Sequence, residues 1–322
     1  MERELWWELY TELLRFDSCV GVEGEYFSDG AVAATQLWAA VHDRPTSWAC
    51  DRRNWGDFDP PFGLPSQPTM SRRLRTAGVT ALLDAVEGNY RDLDLGGEAG
   101  AEAGAPEWVP DWVPDWVQEL DGKPLPVGGH STDPDCDWGR GVRGEAKGYK
   151  LHAVWGKAPV PLAWELAPMS RAEQTVARGL IRALAARGFG GYLLADSGYD
   201  SNPLHELAAP LGLQLVAPRK RPGTAPGHRR HSPSRLHSID LTEGGAFGSA
   251  FGSAFGAALL HERERIERRL GNLCGFGAGL QPLPSWVRRR HRVRLWVQAK
   301  LLINAARIVL KRRRRREKRH VA

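Results

Sequence analysis

In residues 117–220, short apolar stretches alternate with amphipathic ones. Of all features of the sequence, this alternation most restricts which fold the chain can adopt. Apolar residues in short runs bounded by turn residues predict strands, whereas apolar residues three or four positions apart predict helices. The order is strand, strand, strand, helix, strand, helix, strand, which predicts an α/β fold with a mixed sheet flanked by helices. Ser170 and Glu173 are spaced for a capping box at the first of these helices. The segments are, in order, VQELDGKPLPV, YKLHAVWG, PVPLAWELAP, SRAEQTVARGLIRALAARG, GGYLLADSG, SNPLHELAAPLG and LQLVAPRK.

Two of the predicted strands carry an aspartate at a notable position. Asp196 follows the apolar run YLLA, and Asp121 ends or lies within the first strand, directly before Gly122. The carboxyl ends of strands are where open α/β sheets place their sites. A carboxylate buried there needs a positive partner, and Mg²⁺ prefers carboxylate oxygen. The pattern alone leaves open the alternative that both acids cap neighbouring helices.

A later segment offers a third acid. FGAALLHERERIERRLGNL, residues 255–273, is predicted to form one helix with an apolar stripe of leucine and isoleucine. Glu262 and Glu267 both flank that stripe, so helical spacing does not choose between them. Arg263 lies one turn before Glu267, where it could pair with that acid or hold a phosphate.

Positive charge is concentrated in a few places. The net charge is +6, and the C-terminus ends in the basic run KRRRRREKRH. Such a run suits a polyanion, because each neutralised phosphate releases counterions; a solvated tail is the alternative. The N-terminal residues 1–93 are predicted to be helical, with a basic triplet in the first turns of the helix that starts at TMSRRLR. The candidate DNA-binding arginines are Arg72, Arg73 and Arg75 in this triplet and Arg229 and Arg230 in the segment GHRRHSPSR.

Other features bound the class of protein. The four cysteines form no C-x-x-C motif, no stretch approaches the roughly 18 apolar residues of a membrane span, and the start lacks a signal-peptide pattern. We therefore expect a cytoplasmic protein. Residues 94–118, with the repeat WVPD, are predicted to be a linker, and the Gly-rich repeat at 244–257 a flexible insertion.

Several stretches belong together: LWAAVHDRPTSWACDRRNW, LPSQPTMSRRLR, LDGKPLPV, KGYKLHA, LLADSGYD, RERIERRLGNL and WVQAKLLINAAR. In their order and spacing they resemble the bacterial insertion-sequence transposases of the DDE type. The resemblance implies an RNase-H-like catalytic domain in which Asp121, Asp196 and Glu267 hold two Mg²⁺ ions, with Mn²⁺ as a substitute. It extends over most of the chain outside the two repeats.

The motif around the third acid carries most of the residue-level detail. Arg263 and Glu267 match the R-x-x-x-E spacing of these transposases, and the resemblance thereby selects Glu267 over Glu262. The family often has a tyrosine and a lysine beside this motif, both thought to contact DNA, where this chain has Leu260 and Cys274. These two departures bear on how the DNA ends are processed, including any hairpin step, and leave the metal triad intact.

The resemblance implies Mg²⁺-dependent cleavage of double-stranded DNA at terminal inverted repeats, followed by strand transfer into target DNA. It also implies a homodimer in the DNA complex and a location at the bacterial nucleoid. Two alternatives remain: a decayed transposase that only binds DNA, and a metal-dependent nuclease without strand transfer. The predicted organisation is a helical, DNA-binding region, a linker, a catalytic domain and a basic tail, at residues 1–93, 94–118, 119–310 and 311–322.

Overall fold

The computed structural model describes residues 2–17, 26–93, 116–221, 230–243, 250–275, 279–280 and 282–321. The chain divides into two compact units. We call Met1–Leu93 with Asn272–Ala322 the helical unit, and Asp94–Gly271 the sheet unit. The last part of the predicted catalytic domain, up to residue 310, therefore lies with the N-terminal helices.

The helices and strands of both units are numbered in chain order. The helices are α1 (Glu2–Phe16), α2 (Asp29–Val41), α3 (Thr46–Ala49), α4 (Gln67–Arg73), α5 (Ala77–Asp92), α6 (Glu173–Ala186), α7 (Asn202–Ala208), α8 (Pro233–Glu243), α9 (Ala250–Glu262), α10 (Glu264–Cys274) and α11 (Arg290–Val321). The strands are β1 (Val117–Pro126), β2 (Asp137–Gly141), β3 (Gly144–Trp155), β4 (Ala163–Pro168), β5 (Gly191–Ala195) and β6 (Leu213–Val216). In the described part of the chain, no helix has an apolar stretch that could cross a bilayer.

An aromatic cluster lies at the centre of the helical unit. Trp6 on α1 stacks on Tyr10 with 4.9 Å between ring centroids, and Trp38 on α2 stacks on Trp55 with 4.6 Å. The Trp6 indole also donates a hydrogen bond of 3.0 Å to the carbonyl of Ala34. Helices α1, α5 and α11 all pack on α2, so α2 is the buried helix of this unit.

The basic triplet lies in a different place from the one predicted. The segment 69–90, expected to be one helix, forms α4 and α5 with a break that ends at Thr76. Thr76 has an extended backbone, and its hydroxyl donates to the carbonyl of Arg73 at 2.8 Å, which ends α4. Arg72 and Arg73 therefore lie in the last turn of α4, and Arg75 lies in the connecting turn.

The sheet unit is built on one mixed sheet of six strands. Strand β3 is antiparallel to β1, β2 and β4, whereas β5 is parallel to both β1 and β6. The strand order is β2-β3-β1-β5-β6, with β4 pairing beside β2 along β3. Every strand predicted from the sequence is present, and β2 is an additional one. The predicted α/β class, a mixed sheet flanked by helices, is confirmed.

Strand residues alternate between two apolar layers because successive side chains of a strand point to opposite faces. Leu193 of β5 packs in the layer formed with α6 and α7. The next residue, Leu194, packs against Leu241 of α8 and Leu259 of α9 on the other face. The strands are thus buried on both sides, as their continuous apolar runs require.

Part of the Gly-rich repeat at 244–257 contributes to this second layer. Residues 244–249 lie outside the described residues, but from Ala250 the chain is helical, so this part is not the flexible insertion predicted. Gly256 lies so close to α8 that an added Cβ would overlap the carbonyl oxygen of Leu241. The small residues of the repeat therefore allow α9 to pack closely on α8.

Candidate active site

The two strand-borne aspartates lie side by side in the sheet. Strands β1 and β5 are parallel neighbours, and their last paired residues are Leu120 and Ala195. Asp121 and Asp196 are the residues that directly follow this last pair, one after each strand segment. Neighbouring strands are about 4.8 Å apart, so the two aspartates are close to each other. Asp121 lies inside β1, which continues along β3, whereas Asp196 begins the turn after β5. We call these two residues the aspartate pair.

The backbone fixes one oxygen of each carboxylate. Gly122 N–H donates to Asp121 Oδ1 at 2.6 Å, and Gly198 N–H donates to Asp196 Oδ1 at 2.8 Å. Tyr199 N–H closes the turn with a 3.1 Å bond to the carbonyl of Asp196. Within the described residues, the second oxygen of each aspartate has no hydrogen-bond donor. Each carboxylate is therefore oriented and still has an oxygen available for a ligand.

The electrostatics of the site show that its charges act on one another. Burial raises the pKa of Asp121 to about 6, and the hydrogen bond from Gly122 opposes this shift. The negative charge of Asp196 raises the pKa of Asp121 further, Arg263 lowers it and Glu173 raises it. The two aspartates are thus close enough to repel each other, and Arg263 is close enough to compensate in part.

Glu173 takes part in the site rather than in a helix cap. It is the first residue of α6, and the N-cap residue, Ala172, makes no side-chain capping bond, so the predicted capping box with Ser170 is wrong. Glu173 Oε1 instead accepts a 2.7 Å hydrogen bond from the buried ammonium group of Lys150 on β3. This ion pair holds the carboxylate of Glu173 at the edge of the sheet.

The carboxylate of Glu173 lies beside that of Asp196. An added Cβ at Gly198 would overlap Glu173 Oε2 and would lie 2.9 Å from Asp196 Oδ1. Gly198 has an ordinary backbone conformation, so this crowding, and not a left-handed turn, is the reason for a glycine there. The two acids therefore face the same small space above the turn.

A polar layer lies behind the backbone of β1. Gly122 pairs with His152 across β1 and β3, and the Nδ1 atom of His152 is 3.2 Å from the hydroxyl of Tyr199. An added Cβ at Gly122 would lie 3.0 Å from Lys150 Cδ, and 3.3 Å from both His152 Nδ1 and the Tyr199 hydroxyl. Burial lowers the pKa of His152 to about 4, so this imidazole is neutral. We call Lys150, His152 and Tyr199 the polar layer.

The polar layer and Glu173 are site residues that were not predicted from the sequence. One signal could have found the first two members, because Lys150 and His152 alternate with the apolar residues Tyr149, Leu151 and Ala153 of β3 and so face the same side. No comparable signal marks Glu173, since its proximity to Asp196 depends on how α6 packs against the sheet.

Arg263 acts electrostatically on the aspartate pair, whereas Glu267 forms no metal-holding group with it in the described part of the chain. The helix predicted over 255–273 is interrupted at Arg263, so Arg263 and Glu267 are not on one continuous helix. Arg263 acts on the pKa of Asp121, whereas Glu267 is exposed on α10 and is not among the charges that do so. Glu262, the other candidate, is buried at the end of α9. No three Asp, Glu, His or Cys side chains in the described part of the chain are arranged to hold a metal.

Comparison with protein families gave a match that covers the region of this site. The model of the transposase DDE domain matches residues 112–303, more than half of the chain. The chain belongs to the transposase DDE domain family. Membership confirms the resemblance and the RNase-H-like fold of the sheet unit. Neither the curated proteins nor the solved structures gave a match. The matched region of the DDE domain contains both members of the aspartate pair, Arg263 and Glu267.

The aspartate pair of this DDE domain fits the divalent metal ions that the family generally uses. Each aspartate has an oxygen without a hydrogen-bond donor in the described residues. Mg²⁺ is commonly bound by one or two carboxylates together with waters and substrate phosphate oxygens. A cation between Asp121 and Asp196 would also relieve the repulsion that raises the pKa of Asp121.

The arginines predicted to bind DNA differ in their surroundings. Arg72 and Arg75 are exposed, whereas Arg73 is buried and its guanidinium donates to the carbonyl of Phe27 at 2.9 Å and to Asp29 Oδ1 at 2.8 Å. Arg73 therefore has a structural role in the helical unit.

The second predicted arginine segment is only partly described. Arg230 is exposed, and Arg229 lies outside the described residues. Arg230 therefore remains a candidate DNA contact.

Proposed function

We propose that this protein is a transposase that cleaves double-stranded DNA at the ends of a mobile element and joins those ends to target DNA. The observation that carries the proposal is the adjacency of Asp121 and Asp196 in the sheet, with Arg263 close enough to lower the pKa of Asp121. Phosphodiester cleavage needs concentrated positive charge near the attacking and leaving oxygens. Two adjacent carboxylates can hold the metal ions that supply this charge.

Three acids are proposed to hold the metal ions. When bound, two Mg²⁺ ions, or Mn²⁺ in their place, would supply the charge that activates the attacking oxygen and stabilises the leaving oxygen. Asp121 and Asp196 would hold them, and Glu267 on α10 would complete the set. The interruption at Arg263 separates α10 from α9, so a change of backbone angles at this one residue would redirect Glu267 without disturbing the packing of α9 on α8.

Other residues of the site have supporting roles in this proposal. Arg263 would contact a phosphate of the DNA strand, because it lies near the aspartate pair and a guanidinium suits phosphate oxygens. The polar layer would hold β1 and the turn after β5 in a fixed position relative to each other. Lys150 would hold the carboxylate of Glu173 beside Asp196 and so limit its movement.

DNA and a second copy of the chain are the proposed partners. The exposed arginines Arg72, Arg75 and Arg230 and the basic C-terminal run would bind the phosphate backbone of the inverted repeats and of the target. Two copies of the chain would assemble on the two element ends. The protein would act in the bacterial cytoplasm, at the nucleoid.

A cleavage assay tests the proposal. The substrates are labelled duplexes with the inverted repeats that flank the gene, incubated with Mg²⁺ or with EDTA. The wild-type protein should nick and join them only with Mg²⁺, and Asp196→Ala should bind the duplex without nicking it. The matched control is Glu206→Gln, which removes an exposed acid on α7 of the same unit. Cleavage by Asp196→Ala would exclude this active site.

The position of Glu267 favours a second candidate, a decayed transposase that binds element ends without cutting. Glu267 is exposed and, among the described residues, does not form a metal-holding group with the aspartate pair. The same assay separates the candidates, because binding without nicking by the wild type supports the decayed protein, and nicking without joining supports a nuclease. If Glu267→Gln cleaves as the wild type does, Glu267 is not the third ligand.

A further inference from the structure

The helical unit contains an open pocket of about 240 Å³. Its walls come from three separate parts of that unit: helix α2 with the turn after it, helix α4 with its connecting turn, and the start of α11 with the segment that leads into it. Arg44, Arg75 and Arg292 each come from a different one of these parts. We call it the arginine pocket.

The charge of the arginine pocket is entirely positive. Its lining includes Arg44, Arg75 and Arg292 and no aspartate or glutamate. All three arginines are exposed, and none has an acidic partner in the described residues. Exposed arginines usually lie among acids that neutralise them. Three that converge on a concave surface without acids attract an anion and leave their donors available to it.

The walls of the arginine pocket are also apolar in part. Trp286 lies at the pocket with 40% of its surface exposed, beside Leu74 and Leu295. An exposed tryptophan next to arginines is the combination with which proteins bind a nucleotide strand, since the indole stacks on a base and the guanidinium groups contact phosphates. A simple inorganic anion would use the arginines but would leave the tryptophan without a contact.

We propose that the arginine pocket binds a DNA strand, with its phosphates on Arg44, Arg75 and Arg292 and an adjoining sugar or base on Trp286. This inference rests on the proposed function and assigns a specific part of the DNA contact to this pocket. It differs from groove insertion by the basic triplet, because Arg75 acts with arginines distant in the sequence. Arg73, which is buried, is excluded from it.

The test is fluorescence anisotropy of the full-length protein with a labelled duplex and with a labelled single strand, each at several salt concentrations. The variant is Arg75→Ala with Arg292→Ala. The control is Arg52→Ala with Arg53→Ala, which removes the same charge from exposed arginines paired with Asp59 and Asp51 in the same unit. The pocket variant should lose roughly tenfold in affinity per arginine, and its salt slope should fall by about one per lost phosphate contact. The control should bind within about threefold of the wild type.

Trp286 provides an independent arm of the same test. Trp286→Ala should weaken binding several-fold with an unchanged salt slope, because stacking involves no counterion release, and Trp286→Phe should restore most of the affinity. Circular dichroism and the unfolding temperature establish that each variant is folded. Competition with inorganic phosphate and with a mononucleotide shows whether a small anion is the true ligand.

The outcomes separate this inference from the proposed function. If the pocket variant binds DNA like its control and cleaves it, the arginine pocket is not a DNA site and the proposed function stands. If millimolar inorganic phosphate displaces DNA only from the wild type and not from the pocket variant, the pocket is an anion site of another kind. If the wild type binds DNA through the pocket but never cleaves it, the inference stands and the proposed function fails.

Discussion

Replacing Gly122 by alanine tests whether the polar layer fixes the aspartate pair. The new Cβ would lie 3.0 Å from Lys150 Cδ and 3.3 Å from His152 Nδ1 and the Tyr199 hydroxyl. Carbon atoms in ordinary contact are about 3.5–4.0 Å apart, so each neighbour would have to move by a few tenths of an ångström. They have little room to do so, because Lys150 is held by Glu173 and the other two side chains are fully buried.

The expected cost follows from this crowding. Overpacking of a closely packed interior destabilises by about 1–3 kcal/mol. For a unit of this size, that corresponds to a fall of roughly 2–12 °C in the unfolding temperature. Because Asp121 directly precedes Gly122, the movement of β1 should also displace its carboxylate. Cleavage by Gly122→Ala should therefore fall further than the loss of folded protein explains. Circular dichroism with EDTA present measures the first effect, and the labelled-duplex assay measures the second.

Two comparisons make this prediction refutable. Gly128→Ala, in the loop after β1, places a Cβ where nothing lies within 4 Å, and its stability should stay within about 0.5 kcal/mol of the wild type. Tyr199→Phe removes one crowded atom, so the double variant with Gly122→Ala should lose less stability than the sum of the single variants. If Gly122→Ala unfolds at the temperature of Gly128→Ala and cleaves normally, the polar layer does not position the site.

Two further predictions concern charge. Arg73→Ala should lower the free energy of unfolding, measured in urea, by about 2–3 kcal/mol, because it leaves Asp29 and the carbonyl of Phe27 without their partner. The control Arg72→Ala, which changes an exposed neighbour, should alter this free energy by less than about 0.5 kcal/mol. Equal effects of the two substitutions would contradict a structural role for Arg73. For Asp121, burial raises the pKa of the folded state from 3.8 to about 6, so the folded protein binds this proton more tightly than the unfolded chain does. Ionisation of this carboxyl group therefore destabilises the fold progressively between about pH 3.8 and pH 6, and fully above that range. In EDTA, Asp121→Asn should therefore unfold at a higher temperature than the wild type at about pH 8, with the difference lost near pH 4, and Mg²⁺ should raise the unfolding temperature of the wild type more than that of the variant. A gain that is constant between these pH values would show that Asp121 is not the group that titrates.

Much of the sheet unit could be predicted because its strands and helices have strong local patterns. The run before Asp196 is apolar at every position, which requires burial on both faces. The same reasoning failed at two helices. The segments of α4 and α5, and those of α9 and α10, were each predicted as one helix. The helical spacing of apolar residues continues through Thr76 and Arg263, although the helical backbone is interrupted there.

The candidate site could be predicted only in part. Asp196 follows an apolar strand and Asp121 lies within the first strand, so both are recognisable from the sequence, whereas Glu173 reaches Asp196 through the docking of α6. The arginines show the same limit, because Arg72 and Arg73 are adjacent and identical in type. Only the packing of α4 against the segment that contains Phe27 and Asp29 makes one of them structural.

The sequence by itself determined which segments become strands and helices, and that Asp121 and Asp196 each accompany a buried strand. It could do so because the period of apolar residues and the turn residues act within a few positions of one another. The tertiary structure decided that β1 and β5 are neighbours, which makes the two aspartates a pair, and that Arg44, Arg75 and Arg292 share one pocket. These pairings join distant parts of the chain and depend on the sum of many weak packing contacts, which no local pattern records.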